Sequence, residues 1–198
     1  MKFQIGEKVR AKGFGKVFEV VSYDEQTKKY SLDSSILRWD EDELEIAEPR
    51  LRGFEVVSSF DDKGVILPTR STVGSAGYDI RVLCDEPVII APHTTHVFHT
   101  GIRAYMQPDE VLMLYPRSSL AIKRHMRLAN SVPVIDSDFY DNPDNSGEIM
   151  IAITNFANAF AKIENGERVA QGIFTKYLTV DNDNVTTNRI GGIGSTGV

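Results

Sequence analysis

The chain has 198 residues, 41% of them hydrophobic and 25% charged, enough for one good core and a small additional module. Its net charge of −6 argues against a general nucleic-acid binder, and no run approaches the roughly 18 to 20 apolar residues of a membrane span. The single cysteine, Cys84, cannot close an internal disulfide, and the opening MKFQIGEKVRAKG lacks a signal-peptide core, so a cytoplasmic protein is expected.

Residues 1–48 alternate apolar and polar positions in short runs (KVRA, KVFEVVSY, KYSL) broken by turn signals at Gly13 to Gly15 and Asp24 to Thr27. Pro49 then introduces a new strand pattern, RLRGFEVVSSF, which places the boundary of a small all-β module at about residue 50. The segment IGEKVRAKGFGKVFEVV resembles the opening of SH3-like small barrels. Nine basic residues face eleven acidic ones up to Arg50, and thirteen face seventeen beyond it, so charge neither separates the two pieces nor names a partner for residues 1–50. The run Asp40 to Glu45 reads as a solvated turn rather than a metal site.

From Leu51 onward short runs rich in Val, Ile, Thr and aromatics (EPVIIAP, HVFHTGIRAYM, EVLMLYP, EIMIAITNF, RVAQGIFTKYL) predict a sandwich or jelly roll. In the strand pattern around His93, His96 and His99 the first and last share a face and the middle one points away, so the three cannot converge on one metal ion without a turn. One segment reads as a helix, SSLAIKRHMRLA, and its double-serine start at Ser118 and Ser119 offers N–H groups and hydroxyls to an anion. Asp136 follows Val134 and Ile135 in an apolar frame where a lone carboxylate is costly, which leaves two readings: a proton-accepting base or a structural ion pair. The acidic string from Asp136 to Asp144 fails as a calcium loop because Tyr140 occupies a ligand place and the fixed glycine is missing. YDNPDNSG, after Phe139, reads as a surface turn. The terminal NRIGGIGSTGV sets four glycines, Ser195 and Thr196 above Arg189, a strip of donors suited to phosphate oxygens. It is no Walker loop, since neither Lys-Ser/Thr nor a helix follows; a frayed terminus is the plain alternative.

Five segments stand in a telling order: PTRSTVGSAGYDI from Pro68, YPRSSLA from Tyr115, VPVIDSDF from Val132, GERVAQGIF from Gly166, and RIGGIGSTG from Arg189. Together they resemble the five motifs of the trimeric dUTP pyrophosphatase (dUTPase) family, over Leu51 to Val198. The resemblance implies an all-β jelly-roll barrel, a homotrimer with three shared active sites, and magnesium-dependent hydrolysis of dUTP to dUMP and pyrophosphate. It implies that Asp136 activates the attacking water with Arg117 nearby, and that Arg117, Ser118 and Ser119 hold the α and β phosphates with help from Gln171. The arm 188–198 would grip the γ phosphate through Arg189, Gly194, Ser195 and Thr196, and Asp79 would approach Mg2+ through water. Residues 130–139 would form a hairpin that reads uracil, with Asn130 on the base and Phe139 against the deoxyribose.

Two positions depart from that pattern: Ile193 stands where a uracil-stacking phenylalanine is usual, and Pro133 where glycine is common. A related fold, the dCTP deaminases, shares the RSSLA segment but needs a glutamate where this chain has Ala152. A nucleotide-binding homologue that acts as a regulatory switch, with residues 1–50 as adaptor, is the alternative function.

Overall fold

The alternation legible in the sequence becomes antiparallel strands throughout, and the protein is all-β apart from one short helix and three single-turn 3-10 segments among the described residues. The computed structural model describes every residue except 13–16, 48–49, 188, 190 and 192–198. The chain folds as two compact units, Met1–Arg50 and Leu51–Val198. No described helix is long and apolar enough to cross a membrane.

The first unit is one five-stranded sheet made of β1 (Lys8–Ala11), β2 (Val17–Asp24), β3 (Lys29–Leu32), β4 (Arg38–Trp39) and β5 (Leu44–Ile46) in the order β4-β3-β2-β1-β5. Alternate residues of β1 and β3 are buried, and Val9, Phe18, Tyr30 and Leu44 meet in its core. The Asp24 carboxylate accepts the N–H groups of Thr27 (3.1 Å) and Gln26 (2.9 Å), which closes the β2–β3 turn.

The second unit contains β6 (Gly53–Val56), β7 (Tyr78–Arg81), β8 (Val88–Ile90), β9 (Thr95–Phe98), β10 (Ile102–Tyr105), β11 (Glu110–Pro116), β12 (Met126–Leu128), β13 (Val134–Asp136), β14 (Ile151–Asn155), β15 (Ala161–Ile163) and β16 (Arg168–Lys176). These assemble as a four-stranded sheet β13-β11-β16-β7, a three-stranded sheet β12-β14-β9, and the pairs β6-β10 and β8-β15. Strand β11 is apolar from Val111 to Leu114, and Leu112 and Leu114 anchor a core shared with Ile80, Phe98, Met126 and Ile153.

The helix expected over SSLAIKRHMRLA ends early: α1 spans Ser118–Arg124. His125 adopts the left-handed conformation (φ 52°, ψ 35°) and donates its N–H to the Leu120 carbonyl, a C-terminal cap that stops the helix. Met126–Leu128 then alternates buried, exposed, buried and joins β14 as a strand. The hairpin expected over 130–139 is a crossing between sheets, since β12 pairs with β14 and β13 with β11. Pro133 has no N–H to give, and its carbonyl accepts from Leu114 at 2.9 Å. The segment 140–147 is more than the surface turn its composition suggested, because Asn142 and Gly147 are buried in it.

Two polar groups pin this unit. Asn155 is fully buried and donates to the carbonyls of Ile90 (3.0 Å), Ala91 (3.3 Å) and Ala159 (2.8 Å) while its own oxygen accepts the Ala157 N–H. Asn155→Ala removes three donor bonds at once, one of them to the buried Ile90 carbonyl, and lowers the unfolding free energy by about 2 kcal/mol, as urea titration will show. Glu110 is buried at the start of β11, where hydrogen bonds from Arg52 hold its carboxyl below its ordinary value of 4.5, opposed by burial and assisted by the Gln107 N–H. Because the folded-state value is lowered, the stability that the pair contributes is complete above about pH 4.5 and is lost as pH falls through the lowered value. Glu110→Gln therefore weakens the protein at neutral pH and flattens the acid limb of its stability profile, which denaturant midpoints measured from pH 7 to 3 will report.

Candidate active site

Strand register assembles the first half of the site. Gln171 on β16 stands opposite Asp79 on β7 and opposite Tyr115 on β11, and Arg117 follows β11 directly. The Arg117 N–H is held by the Val169 carbonyl (3.1 Å) and its own carbonyl accepts from Leu120 (2.9 Å), so the residue is fixed at the entrance to α1. Its side chain meets Asp79, Nε to Oδ1, at 3.1 Å. The other oxygen of Asp79 accepts from Arg168 Nη1 at 2.9 Å and from the Ser71 hydroxyl at 3.0 Å. Two guanidinium groups against one carboxylate leave the locality positive. An open cleft of about 410 Å³ lies here, lined by Asp79, Arg117, Gln171 and the hydroxyl-bearing Ser71, Ser75, Ser118 and Ser119. Gly77 borders it because a Cβ there would overlap the Gln171 amide oxygen. Positive charge, hydroxyls and exposed backbone suit an oxyanion.

Arg168 and Ser71 escaped the sequence reading. Arg168 lies inside GERVAQGIF, and only the bulged β7–β16 register shows that it converges on Asp79.

The second half lies on β13. Asp136 ends that strand with its side chain half exposed and leads into the single turn Ser137–Phe139. Its arginine partner is Arg189, whose Nη2 bonds Asp136 and whose Nε donates to Asp138 Oδ1 at 3.0 Å. The expected neighbour, Arg117, pairs with Asp79 instead. The reason is register: Val111 stands opposite Asp136, and the six residue steps from Val111 to Arg117 extend about 20 Å. Phe139 is buried, and the Arg189 guanidinium lies 5.7 Å above its ring. Asn130 is exposed in the turn after β12. Ile193, Gly194, Ser195 and Thr196 lie outside the described residues.

The three histidines face three different partners. His93 contacts Asn158 at 3.0 Å, His96 packs edge-on against Phe98, and His99 reaches the buried Glu148 at 3.0 Å. Cys84 is a free, partly buried thiol whose pKa is pushed up by burial.

Comparison with known proteins gives this geometry a family. The dUTPase family model matches residues 63–197. The deoxyuridine 5'-triphosphate nucleotidohydrolase of Lactococcus lactis is 47% identical over 150 residues, which are 75% of this chain and 99% of that protein. The enzyme of the same name from Treponema denticola is 35% identical, over 69% of this chain and 94% of its own length. Among solved structures, the crystal structure of dUTPase from Streptococcus mutans is 42% identical with a TM-score of 0.61, covering 66% of this chain and 99% of that one. Its likeness identifies the second unit as a jelly roll. With a match across most of its length and relatives aligned over nearly all of theirs, the chain belongs to the dUTPase family.

Proposed function

We propose that the protein hydrolyses dUTP to dUMP and pyrophosphate, through active sites that successive copies of the chain complete for one another. The observation that carries this reading is the donor set around Asp79: Arg117 and Arg168 on its carboxylate, with Arg117, four hydroxyls and Gln171 lining the open cleft. The names of its relatives supply the substrate, dUTP.

In this reading Asp136 accepts a proton from the water that attacks the α-phosphorus. The bond from that phosphorus to the bridging oxygen breaks, and pyrophosphate leaves with the electron pair. A half-exposed carboxylate at the end of β13 is open to such a water. Arg117 engages Asp79 through Nε and so presents a pre-oriented guanidinium to the α and β phosphates, with Ser118, Ser119 and Gln171 beside it. Asp136 and Arg117 of one chain are about 20 Å apart along β11, too far to act on one phosphoanhydride. A homotrimer in which one protomer supplies Asp136 and Phe139 and another the Asp79–Arg117 cleft resolves that distance. Arg189, now on its own Asp136 and Asp138, would turn to the γ phosphate with Gly194, Ser195 and Thr196, which uncovers the Phe139 ring for the deoxyribose. Asn130 and the neighbouring backbone would read uracil, with Ile193 closing over the base.

Magnesium fits this donor set. Among the described residues Asp79 is the only carboxylate lining the cleft, and both its oxygens already accept bonds, so it would hold the ion through water while triphosphate oxygens complete the shell. When bound, magnesium neutralises charge on the triphosphate.

Pyrophosphate release with magnesium, measured separately on dUTP, dTTP, dCTP and UTP, tests the reading. Turnover is expected with dUTP, and Asp136→Asn lowers it by at least about 100-fold with nucleotide binding retained; equal rates on all four, or an unaffected variant, would reject it. Removing Arg189–Val198 is expected to abolish most turnover and leave a trimer by light scattering. A truncated protein of normal rate would reject the role of the arm.

A further inference from the structure

The segment Tyr140 to Gly147 returns to its own starting point. Asn142, 5% exposed, lies at the centre of the ring so formed. Its side-chain amide donates to the Phe139 carbonyl (3.2 Å) and to Asn145 Oδ1 (2.8 Å), and its oxygen accepts the N–H groups of Asp144 (3.0 Å) and Asn145 (3.3 Å). Every donor and acceptor of the side chain is therefore committed to the loop and to Phe139. Gly147 closes the ring with φ +76°, and a Cβ there would stand 2.7 Å from the Phe139 carbonyl.

Both ends of the ring are anchored. Beyond Gly147, the buried Glu148 carboxylate accepts the N–H groups of Thr100 (3.2 Å) and Gly101 (3.0 Å). At the other end the Tyr140 hydroxyl bonds Glu55, and Arg103 lies 4.6 Å over the Tyr140 ring while donating to Asp141 at 2.8 Å. Phe139 is thus tied through Asn142 to a loop that is bolted to the core at Glu148 and to the β6–β10 ribbon at Tyr140.

We propose that Asn142 is a positioning residue for sugar selection: it fixes the backbone of Phe139 so that the ring cannot yield to a ribose 2'-hydroxyl. The inference rests on the functional reading above, in which Phe139 packs against the deoxyribose. An aromatic wall excludes one extra oxygen only if it cannot retreat, and discrimination of this kind is lost when the support behind the wall is loosened.

The test compares steady-state pyrophosphate release from dUTP and from UTP by the full-length protein, Asn142→Ala and Asn142→Asp, with thermal unfolding measured in parallel. Asn142→Asp has the same shape and keeps both acceptor bonds to the loop but loses both donor bonds, to the Phe139 carbonyl and to Asn145 Oδ1, and buries a charge there; Asn142→Ala loses the same donors without a charge, so it is the milder variant and thermal unfolding shows which of the two is folded. Each variant is expected to lower the ratio of kcat/KM for dUTP over UTP by about tenfold. A purely structural Asn142 would lower the Tm and leave that ratio unchanged, and such a result in either folded variant overturns the inference while the dUTPase reading stands. A wild-type protein that fails to prefer dUTP over UTP overturns both.

Discussion

Seven consecutive residue pairs, from Glu110↔Lys176 to Pro116↔Ala170, join β11 to β16, and the geometry of the second unit is measured along that ladder. Its period of two decides which side chains enter the core and which face the cleft, so a slip of one residue would carry Tyr115 away from Gln171 and Arg117 away from Asp79, and would bury polar groups. One end of the ladder is moored by the Arg52–Glu110 pair; the other delivers Arg117 into α1. The strand between them is also a ruler. It holds Asp136 and Arg117 of a single chain apart, by strand length alone.

Asp79 shows how electrostatics finishes what register begins. Its carboxylate is nearly enclosed and takes up two guanidinium groups and a hydroxyl, an arrangement that would be costly with one partner missing. Together these charges form a preorganised positive wall with little freedom to relax. Asp136 lives under a different regime, half exposed on β13, while the Arg189 side chain that pairs with it is nearly enclosed.

Much of this was legible in the sequence, for identifiable reasons. The strands announced themselves by period, and Asp79, Arg117, Ser118, Ser119 and Gln171 could be named because short motifs carry them and the sheet brings those motifs to one place. What stayed hidden depends on distances that no local pattern encodes. Arg168 sits within a recognisable segment, yet its convergence on Asp79 requires the bulge between Arg168 and Ala170. The helix after Ser119 was overdrawn because Lys123, Arg124 and Met126 fit a helical period as well as they fit a turn followed by a strand, and the left-handed His125 decides between them. The loop 140–147 has the composition of a solvated turn, and composition does not reveal that Asn142 turns inward to serve its own ring.

Because the chain re-enters the barrel beside the residue it left, a change of loop length near Pro143 and Asp144 need not shift the register of β13 or β14, although it would disturb the Asp144 and Asn145 N–H groups that bond Asn142. Changes at Asn142 or Gly147 would be felt at Phe139 directly. The loop thus separates the register of the flanking strands, which its length need not disturb, from the base at Phe139, which its bonding holds.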